Sequence, residues 1–310
     1  MSRGFRIARV APVFVAGAVA LTLLLSGCTS GSEGTAANSI GGPGGTTATP
    51  RTFERYVALG DSYTAAPLVP QLDAARGCFR SSENYPSLVA AAITVSAFVD
   101  RSCSAADTTN LARPQRTETA RVRPQFASLT PATDLVTLGM GGNDFQVFAT
   151  LITDCVSLRS QDPTGSPCRD AQRSGGRDRL STSLERTERR VTAAIAGIEQ
   201  RSPRAEVLVV GYPQLVPPSG TCPRLLPLAD GDYAYARTVS RRLTGALKRA
   251  AETAGARYVD VWRASAGHDI CADEPWINGQ FTDFSTAAAY HPFAVEQAAV
   301  ADLITAALTS

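Results

Sequence analysis

The stretch "RYVALGDSYTAAP", residues 55–67, decides how the chain is read. Tyr56-Val57-Ala58-Leu59 is a short apolar run that ends at a turn signal, the pattern of a buried β-strand. Gly60 then lets the backbone bend where a side chain would clash. Ser62 follows such a strand directly, so it falls at the start of a helix, beside N–H groups with no intrahelical partner. That is a suitable address for a nucleophile. An ordinary strand followed by an N-capping serine fits the stretch equally well.

A second stretch has the same form. "LGMGGNDF", residues 138–145, follows another apolar run, and Gly139, Gly141 and Gly142 free its backbone to loop tightly. Asn143 offers an amide donor, which an oxyanion requires as a tetrahedral intermediate forms. A phosphate cradle is the competing use of such glycines. However, neither G-x-G-x-x-G nor G-x-x-x-x-G-K-[ST] is present. A plain turn with Asn143 or Asp144 as N-cap also fits. A serine nucleophile needs a base, and the chain has only two histidines, His268 and His291. His291 precedes Pro292 and the start of a helix, whereas His268 in "GHDIC" sits three residues before Cys271 and reads as structural.

Apolar runs at 56–59, 94–99, 134–138, 206–210 and 258–262 read as strands. Between them lie helical patterns at 84–93, 144–158, 179–201 and 233–254, with a last one after Pro292. Strands alternating with helices imply an α/β fold, a mainly parallel five-stranded sheet covered on both faces. In such sheets ligands bind beyond the carboxyl ends of the strands, where Ser62 and the 138–145 run both fall. The Pro-rich loop 212–231 reads as a disulfide-held surface loop or as a border of the site.

Residues 1–27 read as a signal peptide: Arg3, Arg6 and Arg9, then an apolar run from Val10 to Leu25 too short to span a bilayer. It closes on "LSGC", which resembles a bacterial lipobox and predicts lipidation at Cys28 and membrane attachment; a plain signal peptide is the alternative. Residues 28–52 form a Gly/Ser/Thr/Pro-rich linker, and 53–310 a single domain. The formal charge of +2 counts those three arginines; 27 basic residues then face 28 acidic ones, which excludes an electrostatic nucleic-acid binder. The other six cysteines, Cys78, Cys103, Cys155, Cys168, Cys222 and Cys271, form an even set in an exported chain. They allow fifteen connectivities, of which sequential pairing is the simplest. No C-x-x-C spacing supports metal binding.

Together these pieces resemble the SGNH hydrolases, the GDSL esterases and lipases, over residues 54 to about 305. "GDSY" matches the nucleophile block, "CSAAD" at 103–107 the second, "GMGGND" the third and "HP" the last. With six paired cysteines the chain is most similar to the secreted actinobacterial lipases, esterases and phospholipases. The resemblance implies a three-layer α/β/α flavodoxin-like fold and hydrolysis of an ester or lipid substrate without metal or cofactor. It makes Ser62 the nucleophile and His291 the base, with Ser62, Ala105 and Asn143 forming the oxyanion hole. Two positions depart from the family pattern. Ala105 stands where glycine is usual, with Ser104 the other alignment, and Ala288 stands three residues before His291 where an aspartate is usual. The expectation is therefore a Ser–His dyad whose histidine is oriented by a backbone carbonyl, with Asp283 the competing partner. Its pH–rate profile should rise near the ordinary histidine value of ~6.5. A carbohydrate O-deacetylase of the same fold and a non-catalytic surface lipoprotein are the rival readings.

Overall fold

Alternation along the strands sorts their side chains into two layers, and each layer meets its own pair of helices. The computed structural model describes residues 51–73 and 77–309; the signal peptide, Cys28 and the linker to residue 50 lie outside them. Five strands form the sheet: β1 (Thr52–Gly60), β2 (Thr94–Asp100), β3 (Leu135–Gly139), β4 (Glu206–Val210) and β5 (Arg257–Val259). Their order is β2-β1-β3-β4-β5 and every pairing is parallel. This is the doubly wound flavodoxin-like order, with its switch point between β1 and β3.

From β1, Val57 and Leu59 face one side of the sheet, where they join Val136, Leu138, Val207 and Val209 in the larger core. Helices α3 (Arg179–Arg201) and α4 (Asp232–Thr253) cover that side with Leu184, Val191, Ile195, Ile198, Leu243 and Leu247. Tyr56 and Ala58 face the other side, under α2 (Tyr85–Ala92) and α5 (Ala294–Thr309), with Val89, Val300 and Ile304. The short helix α1 (Ser62–Ala65) follows β1 directly. Helix α3 shows why the reading by periodicity works. Its buried Leu180, Leu184, Val191, Ile195 and Ile198 recur on one face, and Asp178 caps its start by accepting from the Ser181 N–H.

Two elements depart from expectation. The run 258–262 leaves the sheet after Val259, because the Asp260 carboxylate accepts from the Arg263 N–H and caps a one-turn helix at Val261–Ala264. The helix expected over 144–158 is broken at its start, where Phe145 and Gln146 take left-handed φ values of 51° and 59°. That reversal turns Phe145 outward beneath the guanidinium groups of Arg186 and Arg190, and brings the Phe148 N–H back to the Gly142 carbonyl. Farther along, Thr150–Asp154 is a wide π-type turn. The six cysteines pair sequentially as Cys78–Cys103, Cys155–Cys168 and Cys222–Cys271. The unit Ala48–Ser310 is compact by itself.

Candidate active site

In register, Gly60 at the end of β1 stands beside Gly139 at the end of β3. A methyl group at either position would collide with Thr64, whose hydroxyl donates to the Gly139 carbonyl at 3.0 Å. Gly60 is therefore needed for close approach rather than for a bend. It keeps α1 tight against both strand ends. The Gln125 side chain fixes the same point by accepting from the Gly60 N–H and donating to its carbonyl, both at 2.9 Å. Asp61 caps α1 through the Tyr63 N–H, so Ser62 is the first helical residue and its own N–H has no intrahelical partner.

Ser62 opens into a cavity of about 500 Å³ that also receives Ser104, Ala105, Asn143 and His291. The four blocks, spread over 230 residues of sequence, thus converge on one space at the switch point. The rest of the wall is mostly apolar: Pro67, Leu68, Leu72, Phe79, Phe284 and Ala288, with Thr282. Backbone strain gathers here. Left-handed φ values occur at the lining residues Leu68 (76°), Phe79 (53°) and Ala105 (62°), and at Tyr290 (59°) just before the histidine. Non-glycine residues hold such values only where the surroundings enforce them. The Cys78–Cys103 bridge flanks two of them.

Ala105 takes its glycine-like conformation between two engaged neighbours. Ser104 donates its N–H to Cys78 and Ala106 donates to Cys103, whereas the Ala105 N–H meets no acceptor among the described residues. Asn143 donates one amide hydrogen to the Ala106 carbonyl at 2.9 Å, which aims the amide and ties the third block to the second. Asp144 strengthens that tie. Buried, it accepts from the Thr108 N–H and hydroxyl and pairs with Arg190 at 2.8 Å, while burial pushes its carboxyl above the usual range.

His291 donates through Nδ1 to the Ala289 carbonyl at 2.7 Å. A carbonyl only accepts, so Nδ1 carries the proton and Nε2 is left as the basic nitrogen. Burial lowers the pKa of the ring below the ordinary histidine value, and the Ala289 bond opposes that only in part. Asp283 does not reach the ring. Its carboxylate accepts from the Ser285 N–H and hydroxyl within an exposed turn, and those bonds hold its pKa down. His268 bonds Nδ1 to the Glu274 carbonyl and stacks on Trp276 with ring centroids 4.7 Å apart, outside the cavity.

Several supporting residues were not visible as such in the sequence. Tyr212 lies just past the end of β4, where the strand-end rule that singled out Ser62 and Asn143 also points. Its hydroxyl donates to Asp61 and accepts from the Gly142 N–H, so one side chain joins the Ser62 turn to the glycine loop. Burial raises the Asp61 carboxyl to about 7 despite that bond. Tyr63 donates its hydroxyl to the Tyr290 carbonyl at 2.7 Å and packs near the His291 ring. Gln297 reaches the Tyr63 carbonyl and accepts from the Tyr85 N–H.

The sequence matches the GDSL-like lipase/acylhydrolase family over residues 58–294. It is 40% identical over 220 residues to Lipase 2 of Streptomyces coelicolor, covering 70% of this chain and 72% of that one. A lipase of Streptomyces rimosus is 30% identical over 240 residues, 77% of this chain and 81% of its own. Among solved structures, phospholipase A1 from Streptomyces albidoflavus superposes with a TM-score of 0.68 at 27% identity, over 84% of this chain and all of that one. An extracellular lipase from Streptomyces rimosus gives 0.64 at 25% identity, over 83% and 100%. The convergence of the four blocks and the match across most of the chain lead to one conclusion: this protein belongs to the GDSL-like lipase/acylhydrolase family and is a carboxylic ester hydrolase.

Proposed function

We propose that the protein is an exported hydrolase of acyl-lipid esters that works through a Ser62–His291 dyad. The observation that carries this reading is the His291 Nδ1 bond to the Ala289 carbonyl, in a chain where Ala288 occupies the usual aspartate position. The carbonyl sets the tautomer that a carboxylate sets in a triad, without supplying a negative charge. Ser62 Oγ attacks the ester carbonyl while His291 Nε2 takes its proton. The tetrahedral oxyanion accepts from the N–H groups of Ser62 and Ala105 and from the free hydrogen of the Asn143 amide. His291 then returns the proton to the leaving alcohol. Water, activated by the same nitrogen, releases the acid from the acyl-enzyme.

The apolar wall of Pro67, Leu68, Leu72, Phe79 and Phe284 favours an acyl chain over a sugar, which would require a ring of hydrogen-bonding side chains. Three disulfides suit a protein matured in an oxidising compartment. The "LSGC" ending supports lipidation of Cys28 and attachment to the membrane, with the residues from 29 to 50 as the tether, since Arg51 already pairs with Glu206 and Thr52 opens β1. Intact mass of the membrane-extracted protein tests this: an acylated N-terminus at Cys28 is expected, and an unmodified one overturns the anchor. For the chemistry, a serine-reactive phosphonate should label Ser62. Ser62→Ala should abolish hydrolysis of short and long acyl esters while keeping the melting temperature. Labelling elsewhere, or retained activity, would overturn the assignment.

A further inference from the structure

Among the described residues, four large hydrophobic side chains are strongly exposed: Leu225 (41%), Phe281 (72%), Phe284 (82%) and Val295 (52%). The first three belong to one loop and the segment packed on it, next to the cavity-lining residues Thr282 and Phe284. Phe284 itself lines the cavity, and Phe281 precedes it by three residues in the loop that leads to His291. Leu225 touches this loop where Gly279 packs against it, and its carbonyl accepts from the Gln280 N–H at 2.8 Å.

The exposure is built into the loop. Asn278 donates its side-chain amide to the carbonyls of Phe281, Ala287 and Ala288, closing the segment into a ring. Asp283 caps the turn at Ser285, Thr282 accepts from the Ala289 N–H, and the Gln280 amide donates to the Arg224 carbonyl. A loop held at this many points presents Phe281 to solvent as a fixed feature. Two aromatic rings kept in water beside an apolar cavity mark an interaction surface.

We propose that this rim is a lipid-docking surface, on which the enzyme sits against a zwitterionic phospholipid layer with Phe281, Phe284 and Leu225 immersed. The inference rests on the lipid-ester reading above. Its occupant follows from continuity and charge. The exposed Phe284 is itself part of the apolar cavity wall, and Phe281 adjoins the lining residue Thr282, so an acyl chain enters the cavity beside the rings that meet the layer. From Pro275 to Pro292 the only acidic side chain is Asp283, and Arg224 beside Leu225 is the neighbouring cation. One charge of each sign gives no polybasic cluster for an anionic surface, whereas exposed aromatics suit the headgroup boundary of a neutral one.

The test uses the compact unit Ala48–Ser310, free of any acyl anchor, whose solved relatives are matched over their whole length. With Ser62→Ala to prevent turnover, it should co-sediment with phosphatidylcholine vesicles, and raising the salt or adding phosphatidylglycerol should change binding little. Phe281→Ser should weaken binding about tenfold, by the apolar area withdrawn, and Phe281→Trp should preserve it. In the active enzyme, Phe281→Ser should slow hydrolysis of vesicle lipid to the same degree, with kcat/KM on a monomeric nitrophenyl ester unchanged. No vesicle binding by the parent, or equal binding by Phe281→Ser, overturns the surface. So does a dimer that forms without lipid and is lost in Phe281→Ser, since a second copy is then the occupant. Vesicle binding that depends on Phe281, without hydrolysis of any ester, supports the surface and counts against the hydrolase reading alone.

Discussion

The nucleophile turn and the histidine segment face each other across one cavity, yet they are built by opposite means. Ser62 stands at the end of a buried strand, and its turn is held by near neighbours in space: Gly60 under Thr64, Asp61 capping α1, and Gln125 bonded to both polar atoms of Gly60. His291 ends a loop with no regular structure from 278 to 293. It depends on a left-handed Tyr290, one carbonyl two residues back, and the Tyr63 hydroxyl reaching across from α1. The difference teaches where each part of the chemistry gets its rigidity. Ser62, the proposed nucleophile, inherits it from the sheet, and His291, the proposed base, borrows it from the helix that Ser62 opens and from the loop's internal bonds.

The largest expected effect breaks the histidine side. His291→Ala should lower kcat/KM on a soluble ester by 10⁴-fold or more, as loss of the base does in serine hydrolases. His268→Ala and Asp283→Asn should stay within a few fold, because neither side chain contacts the cavity base. A thousandfold loss in Asp283→Asn with the fold intact would convert the dyad into a triad. The pH profile sharpens the same point. His291 must be neutral to accept the serine proton, and burial lowers its pKa, so activity should persist to lower pH than an ordinary histidine at ~6.5 allows. The sequence alone places the rise at the ordinary value, and burial of the ring moves the expected rise below it. A midpoint at or above 6.5 would show that the loop leaves the ring more hydrated than its packing implies.

On the nucleophile side, Asn143→Ala should reduce kcat by roughly 10²–10³, with a smaller change in KM, since the amide acts on charge that develops in the transition state. A change confined to KM would make Asn143 a ground-state contact.

The two regions meet at the start of α5, and a smaller effect tests that junction. Glu296 is buried beside Gln297, whose amide donates to it and to the Tyr63 carbonyl. Burial raises the Glu296 pKa to about 8 and that of Asp61 to about 7. Both groups bind protons more tightly folded than unfolded. Their contribution is therefore complete below the unfolded carboxylate values near 4 and is lost as pH rises toward 7–8. The protein should melt several degrees lower at pH 8.5 than at pH 5, at roughly 2–4 °C for each kcal/mol. Glu296→Gln, which keeps the shape of the neutral acid, should flatten that fall. An equal fall in the variant would assign the pH dependence elsewhere.

How much of this was legible follows from the same contrast. Strand ends, glycine clusters and caps are local, so β4 is legible to the residue, and Ser62, Asn143 and His291, which stand out in the sequence, line one cavity. Sequential pairing of the cysteines was likewise expected and is found. What escaped depends on contacts between distant segments. Nothing around Tyr212 announces that its hydroxyl spans Asp61 and Gly142, nothing around Gln125 announces Gly60, and the exposure of Phe281 emerges only when the loop closes on Asn278. The break at Phe145 is not legible because the apolar pattern of 144–158 is helical throughout, while the reversal goes with contacts made at a distance: Phe148 against Gly142, and Phe145 under the arginines of α3.

The smallest expected effect concerns Ala105, where the chain departs from the family's glycine. At a φ of 62°, alanine suffers a clash between its Cβ and the following carbonyl that costs about 1–2 kcal/mol. Glycine removes that clash but adds about 0.4–1 kcal/mol of unfolded-chain entropy to be lost on folding. Ala105→Gly should therefore be more stable by up to ~1 kcal/mol, read as a higher urea midpoint at unchanged slope. The N–H is retained in either residue, and its aim is set by neighbours already bonded to Cys78 and Cys103. Hence kcat should change by no more than about twofold, since the oxyanion donor is unaltered. A gain in stability with constant kcat would show that the alanine is tolerated strain, enforced by the Cys78–Cys103 bridge. A large fall in kcat would show instead that the methyl group holds the N–H in place, so that the second block depends on its side chain.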